Sequence, residues 1–170
     1  TGSRSTATRC GRRWRAVGST HTAYATEAFL DQVAAEAGKD PLQLRLALLK
    51  DHPRHAAVLK LAAEKAGWGK KLPEGRFMGL AVHESFHSYV AHVAEISMKG
   101  GEVKVHRVVA AVDCGTVVNP DTVKAQIEGG TGFGLGAMLA EELTLGTGGV
   151  VDQGNYDTYT PLRISAKPSI

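Results

Sequence analysis

Near Phe77 the periodicity of the chain changes, and that change constrains the fold more than any single motif. From Ser19 to Gly67 apolar residues recur every three or four positions, the spacing that aligns side chains on one face of a helix. After it, Met78 to Val82, Tyr89 to Met98 and Glu102 to Val112 are rich in the β-branched and aromatic residues that suit a pleated surface. Lys99-Gly100-Gly101 predicts a hairpin turn between the last two runs, because glycine takes positive φ at no steric cost. Helices followed by strands give an α+β fold: N-terminal helices, a β-hairpin sheet and, further on, one long glycine-rich helix.

The helical part reads as three segments. Ala23, Thr26, Leu30, Val33, Ala34 and Ala37 form a stripe that Gly38 ends, since glycine readily turns left-handed after a helix. Asp40-Pro41 restarts the helix with a capping carboxylate, proline at the first helical position and Gln43 placed to reach back; its stripe is Leu42, Leu46 and Leu49. A third helix, roughly His55 to Ala66, buries Val58, Leu59 and Ala62 and closes at Gly67 before Trp68. After the strands, Asn119-Pro120 caps a helix running from Asp121 to about Glu141. That helix contains Gly129, Gly130, Gly132, Gly134 and Gly136, each costing roughly 1 kcal/mol of helix stability against alanine. Close approach of another backbone or of a bulky ligand is the usual reason to accept such a cost. Thr144-Leu145 and Val150-Val151 predict a second hairpin, and Tyr159 to Ile164 a last strand interrupted by Pro161.

Composition bounds the function. With 43% hydrophobic and 22% charged residues in 170, the chain is an ordinary globular one. No apolar run approaches the ~18–20 residues of a membrane span, so no membrane crossing is expected. Two cysteines, Cys10 and Cys114, are too few for a disulfide framework or a four-cysteine cluster. The net charge of +3 is concentrated in Arg4, Arg9, Arg12, Arg13 and Arg15, leaving a mildly acidic body that is no nucleic-acid platform. Residues 1–13 read as a basic, disordered arm.

Three strings invite chemistry. His83-Glu84-Ser85-Phe86-His87 matches the H-E-x-x-H zinc-peptidase motif, which requires a helix to bring both histidines to one metal; its strand-like surroundings argue for a loop between strands. Zinc peptidase chemistry by His83, Glu84 and His87, or a non-catalytic scaffold, are the rival readings. The glycine string fits neither nucleotide-binding template, having no G-x-G-x-x-G in register and no phosphate-loop lysine. Gln126, just upstream, offers two donors and an acceptor to the edge of a ring. Asp113-Cys114-Gly115 reads as a buried small cysteine sooner than a reactive thiol.

Together these strings resemble one family. Trp14-Arg15-Ala16-Val17-Gly18, Glu27 to Asp31, Ala37 to Leu42 and His83-Glu84-Ser85-Phe86 with Ser88 to Ala91 are similar to the large molybdenum-binding subunit of isoquinoline oxidoreductase-type enzymes, in the xanthine dehydrogenase and aldehyde oxidase group. Val112-Asp113-Cys114-Gly115, Val118-Asn119-Pro120, Ala125 to Gly130, Gly134-Leu135-Gly136 and Tyr159 with Pro161 to Arg163 continue the resemblance in order. It implies a partial molybdopterin-binding domain over 14–170, with a helical part at 14–68 and a β/α part at 77–170. It implies oxidative hydroxylation of an aldehyde or N-heterocycle at a molybdopterin, usually the cytosine dinucleotide form, with an iron–sulfur subunit as electron-transfer partner. The compartment, cytoplasmic or periplasmic, stays open.

The resemblance carries a cofactor-binding role to Gln126, Arg15, Gly18, Gly129 and Gly130, with Val17 and Gly18 lining the approach to the metal. Ala16 stands where the family commonly has serine, His87 where it tends to have glycine, and His92 where it tends to have glutamine. The family's G-G-V-G-E string with the catalytic glutamate is not among these 170 residues, so no catalytic residue is assigned. The expectation is a fragment of the large subunit that binds no cofactor and has no turnover alone, and that self-associates through exposed core surface.

Overall fold

The computed structural model describes residues 16–170. Arg15 and the basic arm at 1–13 lie outside the described residues. In chain order the elements are α1 (Ser19–Glu36), α2 (Pro41–Leu48), α3 (Pro53–Ala66), β1 (Arg76–Ser85), β2 (Ser88–Lys99), β3 (Glu102–Asp113) and α4 (Pro120–Leu139). The sheet has the order β1-β2-β3, and its two-residue connections make neighbouring strands antiparallel. The α+β expectation is met.

The helix boundaries follow local chemistry. α1 ends in a Schellman motif: Gly38 takes a φ of 58°, its N–H donates to the Ala35 carbonyl at 3.1 Å, and Lys39 N–H donates to Ala34 at 2.8 Å. Asp40 caps α2 by accepting from Gln43 N–H at 2.9 Å, and its other oxygen accepts from the Trp68 indole at 3.0 Å. One aspartate thus fixes both the start of α2 and the residue after α3. Asn119 caps α4 by accepting from Thr122 N–H at 3.1 Å, with Pro120 at the position where a missing N–H costs nothing.

The chain divides into two compact units. The first comprises the described residues up to Lys71, with Met78–Ala94 and Val109–Gly115. Its core sets Val58, Leu59, Ala62 and Ala66 of α3 against Leu80 and Val82 of β1, Ala91 and Val93 of β2 and Ala111 of β3. The strand residues alternate, as a pleat with one buried face requires. Leu42 and Leu46 of α2, and Leu49 just after it, pack against this core. On α1, by contrast, Thr26 and Ala37 are exposed, and the inward face includes Glu27 and Asp31.

The second unit comprises Leu72–Phe77, Glu95–Val108 and Thr116–Ile170. Here the buried Glu95 pairs with Arg76 and, at 3.6 Å, with Arg107; the Arg76 hydrogen bond is the main cause of its lowered pKa. Two expectations are corrected in this unit. The second hairpin reduces to one isolated antiparallel bridge, Leu145 to Val151, around a 3-10 turn at Thr147–Gly149. The last strand, Tyr159 to Ile164, does not form: Tyr159 N–H turns back to the Asn155 carbonyl at 2.9 Å, Pro161 has no N–H to offer a ladder, and Ile164–Ala166 is a 3-10 turn. Extended pairing resumes only where Val108 N–H donates to Ser169 at 2.8 Å.

Candidate functional site

In the second unit the site candidates lie on α4. A helix advances about 100° per residue, so Gln126, Gly129 and Gly130, at i, i+3 and i+4, share one face. Gln126 and Gly129 are exposed and Gly130 is half-buried. A Cβ built on Gly129, Gly130, Gly132 or Gly134 would meet nothing within 4 Å beyond the helix's own neighbouring backbone. Among the described residues no atom beyond the helix's own neighbours stands where those four side chains would begin. Beside that face Glu128 lies 3.8 Å from Lys124 and 3.5 Å from Lys167. Thr131 donates to the Ile127 carbonyl at 2.8 Å, which keeps its hydroxyl on the helix.

Gly136 differs from the rest. It is buried, and the Glu141 side chain lies across it. Tyr159 hydroxyl donates to Glu141 Oε2 at 2.9 Å, and that bond is the first cause of the raised Tyr159 pKa.

In the first unit Gly18 precedes α1 with helical φ and no side-chain cap, and an added Cβ there also meets open space. Val17, with a φ of 52°, and Gly18 line a cleft of about 510 Å³ together with Glu84, Ser85 and Phe86. Phe86 and His87 have φ of 51° and 61°, so two residues with side chains occupy a hairpin turn that favours asparagine and glycine. His87 N–H donates to Glu84 Oε1 at 2.9 Å. This arrangement decides against the zinc reading. His83, Glu84 and Ser85 end strand β1 and His87 sits in the turn, so the helix that the motif needs is not formed. The expected loop is only the two-residue turn.

Three further clusters in this unit went unassigned at the level of sequence. Arg45, 1% exposed, meets Glu27 and Asp31 on α1, a pair of acids one helical turn apart that marks the inward face. Arg54 grips Asp113 with two hydrogen bonds of 2.7 Å while its guanidinium lies 4.2 Å from the Tyr89 ring centroid. The Arg54 bond, then Gly115 N–H, pull Asp113 down to about 2. Cys114 beside it is half-buried, where a buried one was expected. His92 lines an apolar cavity of about 570 Å³ with Tyr24, Ala28, Leu80 and Val90, and burial lowers its pKa.

Residues 4–168 match the molybdopterin cofactor-binding domain family. The chain is 37% identical over 161 residues to the beta subunit of isoquinoline 1-oxidoreductase from Brevundimonas diminuta, covering 92% of this chain and 20% of that protein. It is 37% identical over 177 residues to the membrane-bound aldehyde dehydrogenase (pyrroloquinoline-quinone) of Gluconacetobacter polyoxogenes, covering 92% and 23%. A subunit of the nicotinate dehydrogenase of Pseudomonas putida is 33% identical over 149 residues, covering 76% and 12%. The chain therefore spans about a fifth of the length of the first two of these relatives. No described helix is long and apolar enough to cross a membrane. A match across nearly the whole chain, with two relatives at more than a third identity, makes this chain a member of the molybdopterin cofactor-binding domain family.

Proposed function

We propose that α4 is the cradle on which a molybdopterin cofactor lies in the large subunit of a molybdenum hydroxylase. The observation that carries this reading is the open surface of α4 beside Gln126: Gly129 and Gly130 share its helix face, their Cβ positions meet no atom beyond the helix's own neighbours, and the carboxamide is exposed. The donor set suits a flat heterocycle with a polar edge. Gln126 supplies an amide that can donate to ring carbonyls and accept from ring N–H groups. Gly129 and Gly130 let the ring approach the helix backbone, which any side chain would prevent. Gly18 and Arg15 are assigned to the same cofactor from the other end of the chain's family pattern.

When bound, the cofactor supplies two-electron redox chemistry and an activated oxygen donor; the protein holds and orients it. Residues 14–170 serve as part of the cofactor domain. The cytosine dinucleotide form, an iron–sulfur partner subunit and an aldehyde or N-heterocyclic substrate complete the reading. The names of the isoquinoline and nicotinate relatives support the heterocycle. The pyrroloquinoline-quinone in one relative's name points to a different redox group, but the family match over residues 4–168 favours the pterin. These 170 residues, about a fifth of the relatives' length, should by themselves retain no pterin and have no turnover. In isolation they should self-associate through exposed Val118, Met138, Leu145 and Tyr156.

The test is Gln126→Ala in the full large subunit with its partner subunits. Pterin released by denaturation is measured by fluorescence after oxidation, per mole of protein. A loss of tenfold or so in retained pterin is expected from one lost amide contact pair. Wild-type pterin content in Gln126→Ala would remove the assignment of α4 as the cradle.

A further inference from the structure

The glycines of α4 divide into two classes. At Gly129, Gly130, Gly132 and Gly134 an added Cβ meets open space, whereas at Gly136 it would collide with the Glu141 carboxylate, whose Cδ lies 3.0 Å from that position. The Gly136 carbonyl accepts from both Ala140 N–H at 3.0 Å and Glu141 N–H at 2.8 Å. The chain thus folds back over the helix end and lays the Glu141 side chain across the one glycine that admits it. A carboxylate there faces the negative end of the helix dipole, an unfavourable position without a donor to hold it. Tyr159 is that donor, at 2.9 Å.

The other contacts of this region lie away from the end of α4: Thr144 bonds Asp152 and Gln153 within the loop, Ser169 accepts from Val108, and Lys167 reaches Glu128. No large apolar side chain between residues 116 and 170 is fully buried, and Leu143, Leu145, Val150 and Tyr156 in the intervening loop are exposed. The expected strand at Tyr159 is absent, so this residue is held by its turn and by Glu141 rather than by a ladder.

We propose that Glu141 and Tyr159 are positioning residues: their hydrogen bond, seated on Gly136, locks the last turn of α4 and with it the orientation of the glycine face toward the pterin. The inference rests on the reading of α4 as the cradle. It assigns Gly136 to an internal contact and leaves Gly129 and Gly130, on the Gln126 face, to the ligand.

The test uses the full large subunit in its complex, with Tyr159→Phe, Glu141→Ala and Glu141→Gln beside Gln126→Ala. Two quantities are read: amide hydrogen exchange in residues 136–141, and pterin retained through gel filtration. Tyr159→Phe and Glu141→Ala should speed exchange about tenfold, the ratio a charged hydrogen bond sustains, and should lower pterin retention. Glu141→Gln still accepts from the phenol and should rescue both. Unchanged exchange in Tyr159→Phe overturns the lock. Faster exchange with full pterin retention makes the contact purely structural and overturns the positioning role. Pterin loss in Gln126→Ala with none in Tyr159→Phe leaves the cradle standing and removes the clamp. No loss in Gln126→Ala removes the cradle, and the clamp's role with it.

Discussion

Arg45 and Glu27 form a buried ion pair, with Nε of the one 2.9 Å from Oε2 of the other. The same Glu27 oxygen accepts from the Val82 N–H at 3.0 Å, and Arg45 Nη2 donates to the Glu27 carbonyl at 2.9 Å. Because β1 is an edge strand, its outward N–H needs a partner, and a glutamate on α1 supplies it. Two helices and the sheet edge are joined at one carboxylate. Replacing Glu27 by Ala strands a guanidinium that is 1% exposed, which costs about 3–5 kcal/mol. Urea denaturation followed by circular dichroism should show a lower midpoint of that size. A shift under about 1 kcal/mol would mean that Asp31, 2.7 Å from Nη1, suffices.

His87 occupies a position with a φ of 61°, the left-handed region that favours glycine. A left-handed non-glycine residue carries about 1–2 kcal/mol of strain, part of which glycine's larger unfolded-state entropy offsets. His87→Gly should therefore stabilise the chain by roughly 0.5–1 kcal/mol, a rise in melting temperature measurable by calorimetry. Destabilisation would show that the imidazole makes a contact worth more than the strain.

Asp113, held at about 2 by Arg54, is a depressed carboxylate. Its contribution to stability is fully present above the unfolded-state value near 4 and is lost as pH falls through about 2. Arg54→Met should flatten that part of the stability profile between about pH 4 and 2. A profile with the wild-type slope would place the acid sensitivity elsewhere.

His92 is the opposite case in charge but the same in sign of slope. Burial lowers its folded-state pKa, so the unfolded chain binds the extra proton as pH drops below about 6.5. Stability is present above that value and declines as the pH falls toward the folded-state value. His92→Gln, a neutral side chain of similar reach, should weaken the decline. His55, whose pKa burial also lowers, keeps the remainder. Melting temperatures at about pH 7.5 and 5.5 for both proteins decide the matter, and equal drops in the two would clear His92.

What the sequence disclosed was what short-range chemistry decides. Asp40-Pro41-Leu42-Gln43 announced its cap because the donor and acceptor lie three residues apart, and the structure pairs them. Gly38 and Lys99-Gly100-Gly101 announced turns because only glycine takes those φ values freely. Gln126, Gly129 and Gly130 could be placed on one helix face by period alone. The Glu27–Arg45 pair stayed hidden, since a stripe read from apolar residues passes over charges that turn inward. Phe86-His87 gave no sign of positive φ, because neither residue favours it. The strand expected at Tyr159 failed for the complementary reason: its β-branched and aromatic neighbours suit a sheet, but a strand needs a partner edge, and Tyr159 found Glu141.

The central claim is that α4 is bare because a pterin lies on it, and the double variant Gly129→Ala/Gly130→Ala in the full large subunit tests it most directly. Alanine is the better helix former by about 1 kcal/mol per site, and among the described residues neither methyl meets an atom within 4 Å beyond the helix's own neighbours. Compared free of cofactor, the variant should therefore melt no lower than wild type, while its pterin content as purified falls to a small fraction. Wild-type pterin content in that equally or more stable variant would contradict the claim.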